Sequence, residues 1–295
     1  MDRADLGRVA GADALVADPT VPVDAALLDA AGPGLRVVAN FAVGYDNVDV
    51  TACEQRGVVV TNTPDVLTNA TAELTVALML ATARRLGEGE RLVRAGGWTG
   101  WEPGQLLGRE LSGATVGIVG LGRIGTRVAE LLQGFEVELL YTARSRRPDA
   151  ERRLGARHAG LDDLLARSDF VTLHVPLSPA TRHLIDRRRL EQMKRGAILV
   201  NTARGGLVDA GALAGAIGEG HLGGAGLDVY EQEPRVPPAL AELEQVVLAP
   251  HIGSATATAR DAMARLVADN VIAVLEGRPP LTPVAAASRK TDHMT

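Results

Sequence analysis

From Thr115 onward, short apolar runs alternate with segments of helical spacing, and this alternation constrains the fold more than any other feature. The runs are Thr115-Val-Gly-Ile-Val, Val137-Glu-Leu-Leu-Tyr, Phe170-Val-Thr-Leu-His-Val, Ala197-Ile-Leu-Val, Ala225-Gly-Leu-Asp-Val and Val246-Val-Leu-Ala. Segments 123–133, 161–167 and 210–217 between them read as helices. Strands that are apolar throughout are buried on both faces, and helical crossovers between them make the sheet parallel. The expected class is therefore α/β, with doubly wound parallel sheets. The chain before Thr115 repeats the theme on a smaller scale, with strands at Ala14-Leu-Val-Ala, Leu35-Arg-Val-Val-Ala and Val58-Val-Val-Thr. A helix is expected over 70–85, carrying Leu74, Leu78 and Met79 and leading from a first domain into a second. An extended arm over 96–113, a returning helix over 258–275 and a polar tail from Pro279 complete the outline.

One turn in this pattern carries chemistry. Gly120-Leu121-Gly122-Arg123-Ile124-Gly125 follows the Thr115 run and opens the next helix. A glycine-rich hexapeptide alone is a weak signal; between a strand and a helix it is a dinucleotide-binding fingerprint. The first glycine permits the tight turn, Gly122 lets the backbone approach a pyrophosphate, and Gly125 allows close helix–strand packing. Amide N–H groups at the helix start then face the phosphates, where the helix dipole favours negative charge. About 20 residues further on, an acid would hydrogen-bond the ribose of NAD(H). The chain instead reads Tyr141-Thr-Ala143-Arg144-Ser145-Arg146-Arg147. Guanidinium groups bind a 2′-phosphate that a carboxylate would repel, so NADP(H) is favoured, with NAD(H) as the alternative.

Composition removes other chemistries. Of 31 basic residues only Lys194 and Lys290 are lysines, and both sit in polar surroundings expected to be exposed. Schiff-base chemistry and the lysine-dependent phosphate loop are thereby disfavoured. The single cysteine, Cys53, excludes an internal disulfide or thiolate cluster, and reads as a buried structural thiol. No metal site is expected. Aromatic residues are 3% and net charge is −5, so neither stacking platforms nor an overall field favours nucleic acid or a membrane surface. No apolar run reaches the roughly 18 residues of a membrane span, and a reducing cytoplasm is the expected compartment.

Ligands of open parallel sheets collect at the carboxyl ends of strands. Those ends carry Asn201-Thr202-Ala203-Arg204-Gly, Asp228-Val-Tyr-Glu-Gln-Glu233-Pro and Ala249-Pro-His251-Ile-Gly253-Ser. A 2-oxo acid needs a cation for its carboxylate and a proton donor for its carbonyl oxygen as hydride arrives. Arg204 suits the first task and His251 the second. A carboxylate beside an imidazole favours the imidazolium and fixes the ring; Asp228, Glu231 and Glu233 are all candidates for that partner. His158, His174, His183, His221 and His293 read as structural or surface residues, and 187–189 as a solvated helix start.

From about Ala12 to Pro280 the chain resembles the D-isomer-specific 2-hydroxyacid dehydrogenase family, most of all its glyoxylate (hydroxypyruvate) reductase branch. The resemblance rests on Val38-Ala-Asn-Phe-Ala-Val-Gly-Tyr-Asp-Asn-Val-Asp49, Thr61-Asn-Thr-Pro-Asp-Val-Leu-Thr68, the glycine hexapeptide, Asn201-Thr-Ala-Arg-Gly205, Leu227-Asp-Val-Tyr-Glu-Gln-Glu-Pro234 and Pro250-His-Ile-Gly-Ser254. It implies that Arg204 binds substrate, Glu233 pairs with the histidine, His251 is the acid/base, and the Val43–Gly44 backbone helps hold the substrate carboxylate. It also implies that Asp228 lies near the nicotinamide, and that Thr202, Ala203, His251 and Gly253 join the cofactor site. The implied architecture is a Rossmann dinucleotide-binding domain (70–252) inserted in a flavodoxin-like substrate domain (1–69 and 253–295), with the cleft between them, in a homodimer. Trp98 and Trp101 are core of the arm or, as in similar reductases, part of the dimer contact. The implied activity is NADPH-dependent reduction of glyoxylate or hydroxypyruvate. A 2-ketogluconate or other 2-oxo acid reductase, and a non-catalytic dinucleotide-sensing protein resembling the family's corepressors, are the alternatives.

The family normally begins with a strand and helix that this sequence lacks before Asp13. Either the chain starts too late or its first domain is short, and the sheet is expected to show a gap or an exposed edge.

Overall fold

The computed structural model describes residues 7–285. It divides the chain into two compact units, one built from residues up to Leu67 and from Thr256, the other from Thr68–Ala255. Lys290, His293 and most of the expected tail lie outside the described residues.

The first unit starts with β1 (Ala14–Ala17), α1 (Ala25–Ala31), β2 (Val37–Asn40), α2 (Val50–Gln55) and β3 (Val59–Thr61). Asp24 and Asp49 begin its helices: each carboxylate accepts the amide three residues on, satisfying a donor the helix leaves open. β1, β2 and β3 pair in parallel and in that order, and every residue of β2 is buried, as a central strand requires. β1 forms the sheet edge, with Val16 61% exposed.

The second unit contains α3 (Thr68–Ala83), α4 (Leu86–Arg94), β4 (Thr115–Val119), α5 (Arg123–Leu132), β5 (Glu138–Thr142), α6 (Pro148–Leu154), β6 (Arg157–His158) and α7 (Leu161–Arg167). It continues with β7 (Phe170–Leu173), α8 (Arg187–Gln192), β8 (Ile198–Asn201), α9 (Ala210–Gly218), β9 (Gly224–Leu227), α10 (Pro238–Ala241) and β10 (Val246–Leu248). Seven parallel strands lie in the order β10-β9-β8-β7-β4-β5-β6. Alternate strand residues enter different cores. Along β8, Ile198 and Val200 join the cluster with Met79 and Val128, whereas Leu199 joins the one with Leu164 and Leu213. Burial on both faces is the physical content of the doubly wound class. From β4 the chain runs outward through β5 to β6, then crosses back to β7 on the other side of β4 and outward again to β10; a strand order that reverses in this way opens a crevice at the strands' carboxyl ends.

The chain then returns to the first unit through α11 (Ala257–Leu275), and β11 (Pro283–Val284) adds antiparallel to β3. The polar tail expected from Pro279 is therefore ordered as far as this strand. Asn270 on α11 accepts the amides of Leu281 and Thr282, and Thr282 donates its hydroxyl to the Asn62 carbonyl.

Other differences from the sequence reading have similar causes. α3 stops at Ala83, because Arg85 takes a left-handed conformation (φ 52°) and starts α4. α4 itself was not expected. None of its residues is buried, and Gly87 and Gly89 weaken its intrinsic helix propensity. Trp98 and Trp101 are 53% and 81% exposed, which rules out the core-of-arm reading within this chain. Lys194, expected to be exposed, is half-buried and paired with Asp169 at 3.1 Å. No helix among the described residues is long and apolar enough to cross a membrane.

Candidate active site

β4 delivers the chain to Gly120, whose φ of +100° and nearest neighbours leave no room for a side chain. A Cβ there would lie 2.6 Å from the His174 carbonyl oxygen, and one on Gly125 would lie 2.1 Å from that of Gly120. Both glycines are therefore required by the fold itself. Gly122 is different: a Cβ added to it would meet no protein atom within 4 Å. It precedes α5 without a side-chain cap, so the first-turn amides of Ile124 and Gly125 keep their donors. Leu121 is buried and anchors the loop. An open glycine beside uncapped helix amides fits the pyrophosphate of a dinucleotide.

At the end of β5, Ala143, Arg144, Ser145 and Arg146 form the turn into α6, and both arginines are exposed. Glu151, which the sequence reading missed, reaches back from α6. Its carboxylate accepts from Arg146 Nε at 3.0 Å and Nη2 at 2.6 Å, and from the Tyr141 hydroxyl at 2.6 Å. Tyr141 in turn accepts the Arg147 amide at 2.7 Å. The Arg146 guanidinium and the Tyr141 hydroxyl hold the Glu151 carboxyl down to about 2. The signal for Glu151 was available as an acid in the first turn of the helix after the arginines, but its target depends on the turn's path.

Past β8, Asn201 shapes the loop that presents Arg204. Its side chain donates to the Arg204 carbonyl at 2.8 Å and accepts the Ala203 amide at 3.0 Å. Thr202 is buried and hydrogen-bonded to Thr75 of α3 at 2.8 Å. Gly205 lets this loop approach the one after β9, since a Cβ there would fall 2.0 Å from the Tyr230 carbonyl carbon.

Asp228, fully buried at the end of β9, organises the histidine turn. Its carbonyl accepts the His251 amide at 2.9 Å, and its carboxylate accepts the Ile252 and Gly253 amides at 2.7 Å each. His251 sits there at φ +53°, a strained conformation for a residue with a side chain, and three consecutive amides held by one residue sustain it. Burial raises the Asp228 carboxyl above its ordinary value, against the pull of the two amides.

Of the three carboxylates left open by the sequence, Glu233 meets the imidazole: His251 Nδ1 lies 2.7 Å from Glu233 Oε2, while Glu233 Oε1 accepts the Tyr230 amide at 2.9 Å. Burial works to raise the Glu233 carboxyl, but the histidine, the amide and the Arg204 charge together hold it below its ordinary value. Glu231 turns away to Arg182 and His183. A carboxylate on Nδ1 leaves Nε2 as the ring's working atom.

The remaining candidates resolve simply. His174 follows β7, bonds Thr172 at 3.0 Å, and is pushed down to about 3 by burial, so it stays neutral. His221 bonds the Leu190 carbonyl, and His158 packs edge-on against Tyr141. Cys53 is buried and its thiol is pushed up to about 11, chiefly by desolvation, which makes it inert. Val43 and Gly44 lie in the first unit after β2, with the Val43 carbonyl held by Asn62 and the Gly44 carbonyl by Asn40. Among the described residues no three His, Cys, Asp or Glu are grouped to hold a metal ion.

A family model for "D-isomer specific 2-hydroxyacid dehydrogenase, NAD binding domain" matches residues 76–253. The glyoxylate reductase of Thermococcus kodakarensis is 53% identical over 283 residues, covering 95% of this chain and 85% of that protein. The crystal structure of the TT0316 protein from Thermus thermophilus is similar at a TM-score of 0.90 and 48% identity, covering 97% of this chain and 90% of that one. The NADPH-dependent glyoxylate/hydroxypyruvate reductase of Sinorhizobium meliloti, solved with NADP and malonate, is similar at a TM-score of 0.86 and 39% identity, covering 97% and 89%.

Proposed function

For a chain that belongs to the D-isomer specific 2-hydroxyacid dehydrogenases, and so is an NAD(P)-dependent oxidoreductase that reduces a 2-oxo acid, we propose the NADPH-dependent reduction of glyoxylate or hydroxypyruvate, with His251 as proton donor. The observation that carries this reading is the 2.7 Å Glu233–His251 pair, set by the Asp228 turn beside the loop of Arg204. The names of the similar reductases support the substrate class.

The cofactor, when bound, supplies the hydride to the carbonyl carbon. Arg204 pairs with the substrate carboxylate, and the Val43–Gly44 backbone of the first unit is a carboxylate-binding segment in its own right. Glu233 accepts from Nδ1–H and stabilises the imidazolium, so Nε2–H is left to protonate the carbonyl oxygen. The product is the 2-hydroxy acid, and solvent restores the proton. Gly120 to Gly125, Thr202, Ala203, Asp228 and Gly253 hold the dinucleotide, and the turn at Ala143 to Arg146 meets its adenosine ribose. Exposed Trp98, Trp101 and Leu107 support a homodimer built on the 96–113 arm.

A second reading of the cofactor has its own observation. Glu151 already takes the Nε and Nη2 edge of Arg146, whereas Arg144 has no ion-pair or hydrogen-bond partner among the described residues. Discrimination for the 2′-phosphate then rests mainly on Arg144, and NADH is also used. The test is oxidation of NADPH and NADH with a panel of 2-oxo acids, with Arg144→Ala and Arg146→Ala beside the native protein. Glyoxylate or hydroxypyruvate should lead the panel, and Arg144→Ala should erase more of the NADPH preference than Arg146→Ala. Tight cofactor binding without turnover of any acid would favour a dinucleotide sensor instead.

A further inference from the structure

Two asparagines in the first unit, Asn40 and Asn62, have no task of their own in the proposed chemistry. Asn40 ends β2 and is fully buried; Asn62 follows β3 and is half-buried. Each side-chain amide donates to a main-chain carbonyl of the loop after β2. Asn62 Nδ2 reaches the Val43 oxygen at 2.8 Å, and Asn40 Nδ2 reaches the Gly44 oxygen at 2.7 Å. The preceding carbonyl, of Ala42, accepts the Thr63 amide at 2.9 Å. Asn40 cannot turn over without loss, because its Oδ1 accepts from Asn47 Nδ2 at 3.1 Å, and Asn47 is itself tied to the Asp18 and Val21 carbonyls.

Three successive carbonyls are thus each held by a hydrogen bond. In a trans peptide the N–H points opposite to its C=O, so the orientation of each following amide is settled as well. Those amides belong to Val43, Gly44 and Tyr45, and none has an acceptor among the described residues. Unsatisfied consecutive donors aimed by buried side chains form a receptor for an anion, with the ordering entropy met before the ligand arrives.

We propose that Asn40 and Asn62 are positioning residues: by pinning the Val43 and Gly44 carbonyls, they aim three consecutive amides at the carboxylate of the 2-oxo acid. This inference rests on the reading that the Val43–Gly44 backbone binds that carboxylate. Neither asparagine touches substrate or cofactor in it. Loss of the Asn62 bond frees one peptide plane and weakens ground-state and transition-state binding alike, so the effect falls on KM rather than on kcat.

Asn62 is the residue to change, since buried Asn40 carries more of the fold. With NADPH saturating, Asn62→Ala should raise KM for glyoxylate about five- to tenfold, with kcat within about threefold of native. The dissociation constant of oxamate, an unreactive 2-oxo acid analogue, should rise in parallel while that of NADPH stays unchanged. Asn62→Gln, which keeps the donor, should recover part of the loss. Should Asn62→Ala fail to fold, the isosteric Asn62→Asp, which has no donor for the carbonyl, takes its place with the same expectation. An active native enzyme with KM and oxamate affinity unchanged in these variants would overturn the positioning role alone. A native protein that neither reduces glyoxylate nor binds oxamate would overturn the reading beneath it, and this inference with it.

Discussion

At the level of single residues, the proposed reaction assigns binding and proton transfer to different side chains, and the two should respond differently to substitution. In the proposed reaction Arg204 offers a planar cation to the substrate carboxylate, an interaction present before and during the chemical step. Arg204→Ala should therefore raise KM by about 30-fold or more. In the proposed reaction His251 acts only as charge develops on the oxygen, so His251→Gln should lower kcat by roughly 10²- to 10⁴-fold with little change in KM. Steady-state kinetics with the preferred acid distinguishes them; an unchanged kcat in His251→Gln would remove the proton-donor role. Both residues could be named as candidates from the sequence, because each stands in a loop at the carboxyl end of a strand. The identity of the carboxylate was not legible from the residues alone. Glu231 and Glu233 are two residues apart in an irregular loop, where spacing says nothing about direction, and it is the folded path that sends one to His251 and the other to Arg182.

At the level of elements, the strand–turn–helix of β4 and α5 assigns different duties to its three glycines. Gly120 and Gly125 are confined by backbone atoms, whereas Gly122 faces open space. Gly122→Ala should leave stability within about 0.5 kcal/mol of native, yet weaken NADPH binding about tenfold or more, because a methyl group intrudes where the pyrophosphate approaches. Gly120→Ala should cost about 1–3 kcal/mol from its left-handed backbone, with the His174 contact adding to it. Thermal unfolding and fluorescence titration of the two variants give the comparison. Equal destabilisation with unchanged NADPH affinity for Gly122→Ala would contradict the pyrophosphate assignment. Elements whose faces are buried were readable in advance: α7 spans 161–167 as expected, and α9 and α11 differ from expectation by one residue at an end. α4 and β11 were not, because one has no buried face and the other is a two-residue strand that pairs with β3, the chain just ahead of it being held by Asn270.

At the level of the whole molecule, three of the exposed large apolar side chains share one stretch of sequence. Trp98, Trp101 and Leu107 are 53%, 81% and 70% exposed in the arm between α4 and β4. Aromatic anchors of this kind dominate interfaces when covered. The protein should sediment as a dimer at micromolar concentration, and Trp101→Glu should shift it toward monomer with a dissociation constant raised more than about tenfold. A native monomer under those conditions would refute the homodimer. An unchanged dimer in the variant would place the interface elsewhere.

What the sequence determined by itself was local in origin. Apolar runs buried on both faces, helices between them and glycines at a strand end follow from periodicity and steric limits that act over a few residues, and they suffice for the fold class, the dinucleotide motif and the pair Arg204 and His251. Tertiary structure alone decided which groups meet. It paired Glu233 with the imidazole, brought Glu151 back onto Arg146, gathered three amides on Asp228 and pinned three carbonyls around Val43 and Gly44. The reason is physical: hydrogen bonds and ion pairs depend on distances of about 3 Å, and in loops those distances are set by the packing of the elements at either end rather than by the residues between.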